Sequence, residues 1–533
     1  MTLNDLVPIT PLMVLSGLAV LQMLAIAIVR SHALISRLTL LGLLVTLASF
    51  KGADFSQVHQ VTSLITVDGL GLFFMLLMVV SCTLVVLACG PYVDRLYFRD
   101  EFYLLLVLAT LGACILVVTE HLVGFFLGLE ILGIALIGLI AYPVNNMDVK
   151  SVDGSNINGI AADDSAADTG AADIGTNAMT RYANGSGGYM EAALKFFIMS
   201  ATATAFVLMG MAFFYANTGS FLVNEALVTE ALSPYYTAAA ICLLFVGIGF
   251  KLSLVPFQFW TPDVYDGAPM PIVAFIASVS KGAVLLFLLR FFTNVFSNPE
   301  TEVPYGLVSV ISLVAAATIL AGNFMALLQT NIKRLLGYSS MAHMGYIMVL
   351  FVALLVQRGP GSSAGLDLVH ESLVFYVLTY LVTMVGVFIL LVNYVKPESD
   401  QLMLEQLTGL FWRSPLMATL LTVFLLSLAG IPLTAGFLAK FYIFGSAIDQ
   451  NLWFLIAIVI LGSGVGLFYY IRIVLVMTKN VEDVQPSALM GRELMERENN
   501  TLGTGLVTLA MALLVILFGV YPQPVIAFIR QLV

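Results

Sequence analysis

The sequence predicts an all-α, polytopic membrane protein of about fourteen transmembrane helices, with two inverted five-helix repeats built around broken helices. Three observations carry that prediction. The 533-residue chain is 60% hydrophobic and only 10% charged, with a mean hydropathy of +1.01, whereas a soluble domain carries about 25% charged residues. Apolar runs long enough to cross a bilayer follow one another along almost the whole chain. Two of those runs are interrupted by proline, five spans apart, and both carry a lysine.

In order, spans are predicted near 9–29, 33–50, 69–91, 102–119, 121–142, 190–216, 236–258, 264–292, 304–328, 331–356, 368–393, 413–443, 452–478 and 501–527. No basic region precedes the first, so it is expected to stay in the membrane as an anchor. The connections after odd-numbered spans carry thirteen Lys and Arg residues, among them Arg95, Arg99, Lys333 and Arg334. The even connections and both tails carry four: Lys51, Arg290 (near a helix end), Arg358 and Arg530. The positive-inside rule then puts the odd connections in the cytoplasm and both termini on the periplasmic side. One odd connection, 145–188, is rich in Ala, Asp, Gly, Ser and Asn. It is expected to be a disordered cytoplasmic loop.

The net charge of −10 comes largely from this loop and from short connections. No basic run is present, which argues against a nucleic-acid partner and leaves the lipid bilayer as the first one. Cys82, Cys89, Cys114 and Cys242 sit in apolar runs without metal-ligand spacing and read as small core residues. The run Gly462-Ser463-Gly464-Val465-Gly466 follows no strand, so it reads as small-residue helix packing rather than a dinucleotide loop.

The stretch 249–281 is the most informative. It holds Lys251 and Lys281 in apolar sequence, with Pro256, Pro262, Pro269 and Pro271 between them. A charge near the bilayer centre costs about 2.5–3.5 kcal/mol or more, so an intramembrane lysine points to function. A proline break at that depth survives only where protein or a water-filled cavity satisfies the freed backbone. The span 413–443 has a related break at Gly430-Ile431-Pro432, followed by Lys440. Five spans separate the two breaks. A tandem five-helix unit must re-enter the membrane inverted, and paired broken helices mark a transport site near the midplane.

The remaining candidates also lie within spans. Glu130 is the lone ionisable residue from Leu122 to Pro143; such a carboxylate pairs with a cation, takes a proton, or bonds a neighbouring helix. Lys195 lies one turn after Glu191 and either pairs with it or snorkels to the cytoplasmic edge. His343, beside Ser339, Ser340 and Tyr346, suits a proton relay or a hydrogen-bonded core position. Arg472 reads as an edge or structural cation. Together Glu130, Lys195, Lys251, Lys281, His343 and Lys440 suggest a route for protons.

The segments KLSLVPFQFWTPDVYDGAPMPIVAFIASVSK, NFMALLQTNIKRLLGYSSMAHMGY and LSLAGIPLTAGFLAKFYIF, with EAALKFF and FLGLEILGIALIGLIAY, resemble the N-type membrane subunit of NADH-quinone oxidoreductase, respiratory complex I. The resemblance covers most of the chain. It implies an antiporter-like fold with N-terminal helices in 1–100, a first repeat in 101–292, a second in 304–479 and a last helix in 499–533. It implies that Glu130 and Lys251 pair, that Lys195 modulates the pair, that Lys281 is the central lysine, and that His343 links it to Lys440. It also implies NADH, FMN, iron–sulfur clusters and quinone on partner subunits, none on this chain. The partners implied are an M-type subunit and small K-, J- and A-type subunits in a bacterial inner membrane. The absence of a long lateral helix separates it from the L-type, and Lys440 from the M-type, which has glutamate there. Gln258 stands where many relatives have histidine, and the loop 145–188 is longer than usual. Other readings are a subunit of a multisubunit Na+/H+ antiporter or membrane-bound hydrogenase, and a non-conducting scaffold.

Overall fold

The computed structural model describes residues 7–93, 99–142, 187–223, 234–295, 305–357, 366–392, 402–479 and 502–532. The expected loop 145–188 therefore lies, as far as residue 186, outside the described residues. The chain begins with α1 (Thr10–Ile28) and α2 (His32–Ser49), then a short antiparallel hairpin of β1 (His59–Gln60) and β2 (Thr66–Val67) in which His59 faces Val67. Next come α3 (Gly69–Val93), α4 (Arg99–Val118), α5 (Leu122–Ile140), α6 (Gly187–Thr218) and α7 (Pro234–Leu252). A short α8 (Trp260–Gly267) leads into α9 (Met270–Val295). The second half holds α10 (Tyr305–Leu327), α11 (Ile332–Gln357), α12 (Leu366–Val392), α13 (Pro415–Ala429), α14 (Ala435–Asp449) and α15 (Trp453–Thr478). The end is α16 (Leu502–Val520) and α17 (Gln523–Leu532).

Twelve of the described helices are long and apolar enough to cross a membrane, or thirteen if the bent pair α16–α17 counts as one span. The span 413–443, expected to be broken, is two helices of 15 residues each, α13 and α14, on either side of its glycine–proline break. The span 236–258, expected to break at Ser253-Leu254-Val255-Pro256, does so: its helix ends at Leu252, and α8 follows as a separate piece. The last expected span, 501–527, bends by 87° between α16 and α17.

Neighbouring helices approach closely through small residues, the usual device where lipid supplies no hydrophobic drive between helices. A methyl group on Gly112 of α4 would lie 2.6 Å from the Leu132 nitrogen of α5, and one on Gly322 of α10 would lie 2.7 Å from the Ala342 nitrogen of α11. The centre is formed by α9, α11 and α12, whose apolar windows are 94–100% buried against 28–33% for α1 and α2. Cys82, Cys89 and Cys114 are core residues as expected, but Cys242 is exposed on α7.

The two ends of the bundle differ. At one, the hairpin meets the α4–α5 connection through a bridge between Ile65 and Thr119, and that connection meets the chain after α6 through a bridge between His121 and Leu222. Arg290, near the end of α9, is 6% exposed there and pairs with Asp68 and, at 3.3 Å, with Glu120. It lies near a helix end, as expected, and two carboxylates from other connections allow its burial. At the other end Asn331 bridges Met403, and the start of α11 meets α8.

Candidate functional site

Both helix breaks use the same backbone device. At the end of α7, Leu254 N–H reaches back to Gly249 O (2.8 Å) and Ser253 N–H to Phe250 O (3.1 Å), with Ser253 in the left-handed region at φ +62°. At the end of α13, Ile431 N–H bonds Leu426 O and Gly430 N–H bonds Ser427 O, both at 3.0 Å, with Gly430 at φ +83°. These are Schellman terminations, in which one left-handed residue turns two orphan carbonyls onto the following N–H groups. The first break is also held by Trp260 Nε1–H on Phe250 O (2.8 Å) and by Val255 N–H on the Thr318 hydroxyl of α10 (3.0 Å).

Lys251 occupies the last turn of α7 and is buried. Its ammonium lies 3.4 Å from Ser200 Oγ of α6, 4.9 Å from the Phe196 ring centre and 5.6 Å from that of Phe250. A methyl group on Gly133 of α5 would stand 3.1 Å from the ammonium, so glycine there leaves room for the lysine, one turn beyond Glu130. Glu130 Oε1 accepts from Thr204 of α6 at 2.6 Å. Glu130 and Lys251 line one cavity of about 10 Å³ with Ser200 and Thr204, close to the space one water needs. They are not within 4.0 Å of each other, so the expected pair is an arrangement across a small cavity rather than a contact ion pair.

Lys195 lies elsewhere than beside this pair. Its side chain is 44% exposed and forms the expected bond to Glu191 at 2.7 Å, plus a second to Asp263 of α8 at 2.7 Å. The intervening Phe196 puts its ring against Lys251.

Lys281 is fully buried at the start of the regular part of α9, just after a π-turn over Ile276–Ser280. Such turns shift the helix register and recur at functional sites. Lys281 donates to Ser340 Oγ at 2.7 Å; Tyr265 donates to the same oxygen at 3.2 Å, and Tyr380 OH lies 2.6 Å from it. With two donors received, the Ser340 hydroxyl proton is directed to Tyr380. His343, one turn further along α11, shares a 2.8 Å bond between Nδ1 and Tyr376 OH. A second cavity of about 10 Å³ joins His343, Tyr376, Tyr380 and Thr383 to Ser427 and Leu428 at the α13 break. Lys440, on α14, closes that break: its ammonium donates to Leu428 O (3.1 Å) and Ala429 O (2.8 Å) and lies 5.2 Å from the Tyr346 ring centre.

Three groups form: Glu130 with Lys251 across the first cavity, Lys281 with Tyr265 and Tyr380 on Ser340, and His343 with Tyr376 beside the second cavity, with Lys440 on the far carbonyls of the α13 break. Lys195 stands outside all three. Sequence reading missed Ser200, Thr204, Tyr265, Tyr376 and Tyr380. Tyr376 and Tyr380 are four apart and share one helical face, a signal available in the sequence. Gln258 lies between the break and α8 with Oε1 buried and without a hydrogen-bond partner. Arg472 holds the end of α10 by donating to Leu327 O (3.0 Å) and Gln329 O (2.6 Å). Gly462 packs α15 against Asn323 and Tyr346. Among the described residues no group of three or more His, Cys, Asp or Glu could hold a metal ion.

The family pattern described as NADH:quinone oxidoreductase/Mrp antiporter, transmembrane, matches residues 171–466, more than half of the chain. The chain is similar to NADH-quinone oxidoreductase subunit N of Methylococcus capsulatus, with 39% identity over 99% of this chain and 95% of that one. It is also similar to subunit N of Ectopseudomonas mendocina, with 35% identity over 99% and 97%. Among solved structures, a chain of respiratory complex I from Thermus thermophilus with bound aureothin superposes with a TM-score of 0.72 at 29% identity, over 97% of this chain and 98% of that one. A chain of the Mrp complex from Dietzia sp. gives 0.78 at 17% identity, over 100% and 97%, a likeness of fold alone. Full-length identity above 30% and the antiporter-like fold together assign the chain to the N-type membrane subunits of NADH-quinone oxidoreductase.

Proposed function

We propose that this chain is a proton-translocating membrane subunit of an NADH:quinone oxidoreductase, coupling quinone reduction elsewhere in the complex to proton transfer along its buried residues. The observation that carries the reading is the set of three buried lysines, each at a broken or π-wound helix. Among the described residues their partners are hydroxyls, carbonyls and ring faces, with no carboxylate in contact. A fixed structural cation in lipid is normally paired. Lysines held by neutral groups are suited to gaining and losing a proton.

In this reading Glu130 and Lys251 form the loading pair. Opening it sends the Lys251 proton to Lys281, and Ser340, Tyr380, His343 and Tyr376 carry it on to Lys440. An opposite charge within about 4–6 Å changes a group's proton affinity by roughly 1.4–4 kcal/mol. Moving one charge against 100 mV takes about 2.3 kcal/mol. One rearranged pair is thus of the size needed to move one proton. The redox centres and the quinone belong to partner subunits, with an M-type neighbour beside Lys440 and small K-, J- and A-type subunits completing the arm. The end of the bundle holding Asp263 and Arg334 is cytoplasmic, both termini are periplasmic, and the membrane is the bacterial inner membrane.

Lys251→Ala tests the reading. In inverted vesicles carrying the assembled complex, the pH gradient formed per NADH oxidised should fall at least several-fold. An unchanged gradient at an unchanged oxidation rate would favour a scaffold, with pumping assigned to neighbouring subunits.

A further inference from the structure

Resting on that reading, we infer that Asp263 is a positioning residue that couples the first lysine site to the second, and that Lys195 acts through it rather than by contact with Glu130 or Lys251.

Asp263 and Asp266 stand on α8, the eight-residue helix between the Lys251 break and the helix of Lys281. Asp263 Oδ2 accepts from Lys195 of α6 at 2.7 Å, and its Oδ1 accepts from Arg334 Nη2 of α11 at 3.3 Å. Arg334 Nε also donates to Asp266 Oδ2 at 2.9 Å, and Asn331 donates to Asp266 Oδ1 at 2.6 Å. Lys333 is buried and donates to Ala268 O at 2.7 Å, just past the end of α8. One carboxylate thus ties together three elements. Helix α6 carries Ser200 and Thr204, which touch Lys251 and Glu130. Helix α11 carries Ser340 and His343, which touch Lys281 and Tyr376. Helix α8 is joined to Lys251 through the break and to Lys281 through Ala268 and Pro269.

The degree of exposure identifies this junction as the part able to change partners. The side chains of Lys195, Arg334, Asp263 and Asp266 are 44%, 39%, 29% and 16% exposed. Ion pairs so close to water are weak, so exchanging one for another costs little. The buried lysines contact no carboxylate, so no such exchange of ion-pair partners is open to them. Asp263 leaning to Lys195 draws α8 to the first repeat; leaning to Arg334, with Asp266, draws it to the second. Either shift moves the backbone that sets the position of Lys251.

The test compares Asp263→Asn, Lys195→Gln, the double variant and Lys251→Ala in inverted vesicles. It records NADH oxidation, the pH gradient and the amount of assembled complex on native gels. A purely structural role lowers assembly and leaves the gradient per NADH unchanged. Coupling lowers that ratio in assembled complex, by twofold or more in each single variant, and the double variant equals the more severe single one. An unchanged ratio in Asp263→Asn, or losses that multiply in the double variant, would overturn the inference. Should Asp263→Asn fail to assemble, Arg334→Lys carries the test. It keeps the charge but lacks the planar fork that spans Asp263 and Asp266; the same loss is expected, and a normal ratio would overturn the inference. If Lys251→Ala also keeps a normal ratio, the proposed function itself has failed; if only Lys251→Ala loses the gradient, the failure is confined to Asp263.

Discussion

The two helix breaks share a backbone motif and differ in what fills the end of the helix. At the second, Lys440 reaches back from α14 and takes the two last carbonyls of α13, Leu428 O and Ala429 O. A cation at the negative end of a helix dipole is held by charge as well as by hydrogen bonds. At the first, a neutral indole, Trp260, takes Phe250 O, and Lys251 points away to one long hydroxyl contact and two aromatic faces. Lys440 is therefore part of the architecture of its break, while Lys251 is a lodger beside its own. The same residue type has been given an anchored place in one half of the molecule and a loosely held one in the other.

The largest effect should come from Gly430. Its left-handed backbone costs a β-branched residue about 1–2 kcal/mol or more, and a Cβ there would lie 2.8 Å from Lys440 Cδ. Gly430→Val is expected to leave little assembled complex on a native gel; near-normal amounts would show that the second break is not held as described. Next come paired lysine replacements. Lys440→Met strips two helix-end carbonyls of their donor, at about 1–3 kcal/mol for a buried unsatisfied group. Lys251→Met removes a cation that holds no carbonyl of its break, so the end of α7 keeps its donors. The temperature at which half of the complex dissociates should fall for Lys440→Met and hold for Lys251→Met, and the opposite order would reverse the contrast. The smallest effect belongs to Ser253→Gly. It relieves a serine at φ +62° but adds glycine's unfolded-state freedom, leaving a net change below about 1 kcal/mol. Dissociation temperature and proton gradient should both stay close to the parent's.

Much of this is legible in the sequence itself. Lysines and prolines inside long apolar runs located both breaks, and their positions named Lys251, Lys281 and Lys440. The partners were not readable, because they come from distant sequence. Lys281 meets Ser340 across 59 positions, Lys251 meets Ser200 across 51, and Lys195 meets Asp263 across 68. The break expected at Ser253–Pro256 of the run 236–258 is where α7 stops, at Leu252, but hydropathy alone does not mark it. Hydropathy continues through the break, while the Schellman bonds and Trp260 end the helix earlier.

Local chemistry therefore settled that this chain lives in a membrane, where its helices run, where two of them break and which cations they bury. Each of those follows from neighbours a few residues apart: the length of an apolar run, a missing N–H, a charge with no water. Which helix faces meet was settled by packing in three dimensions. Packing put Lys195 on Asp263, set Glu130 and Lys251 across a cavity, and buried Arg290 between two carboxylates. Lipid and protein interior are equally apolar, so hydrophobicity holds a helix in the membrane without telling it which neighbour to choose. Small-residue crossings and matched polar groups make that choice, and they exist only once the bundle has formed.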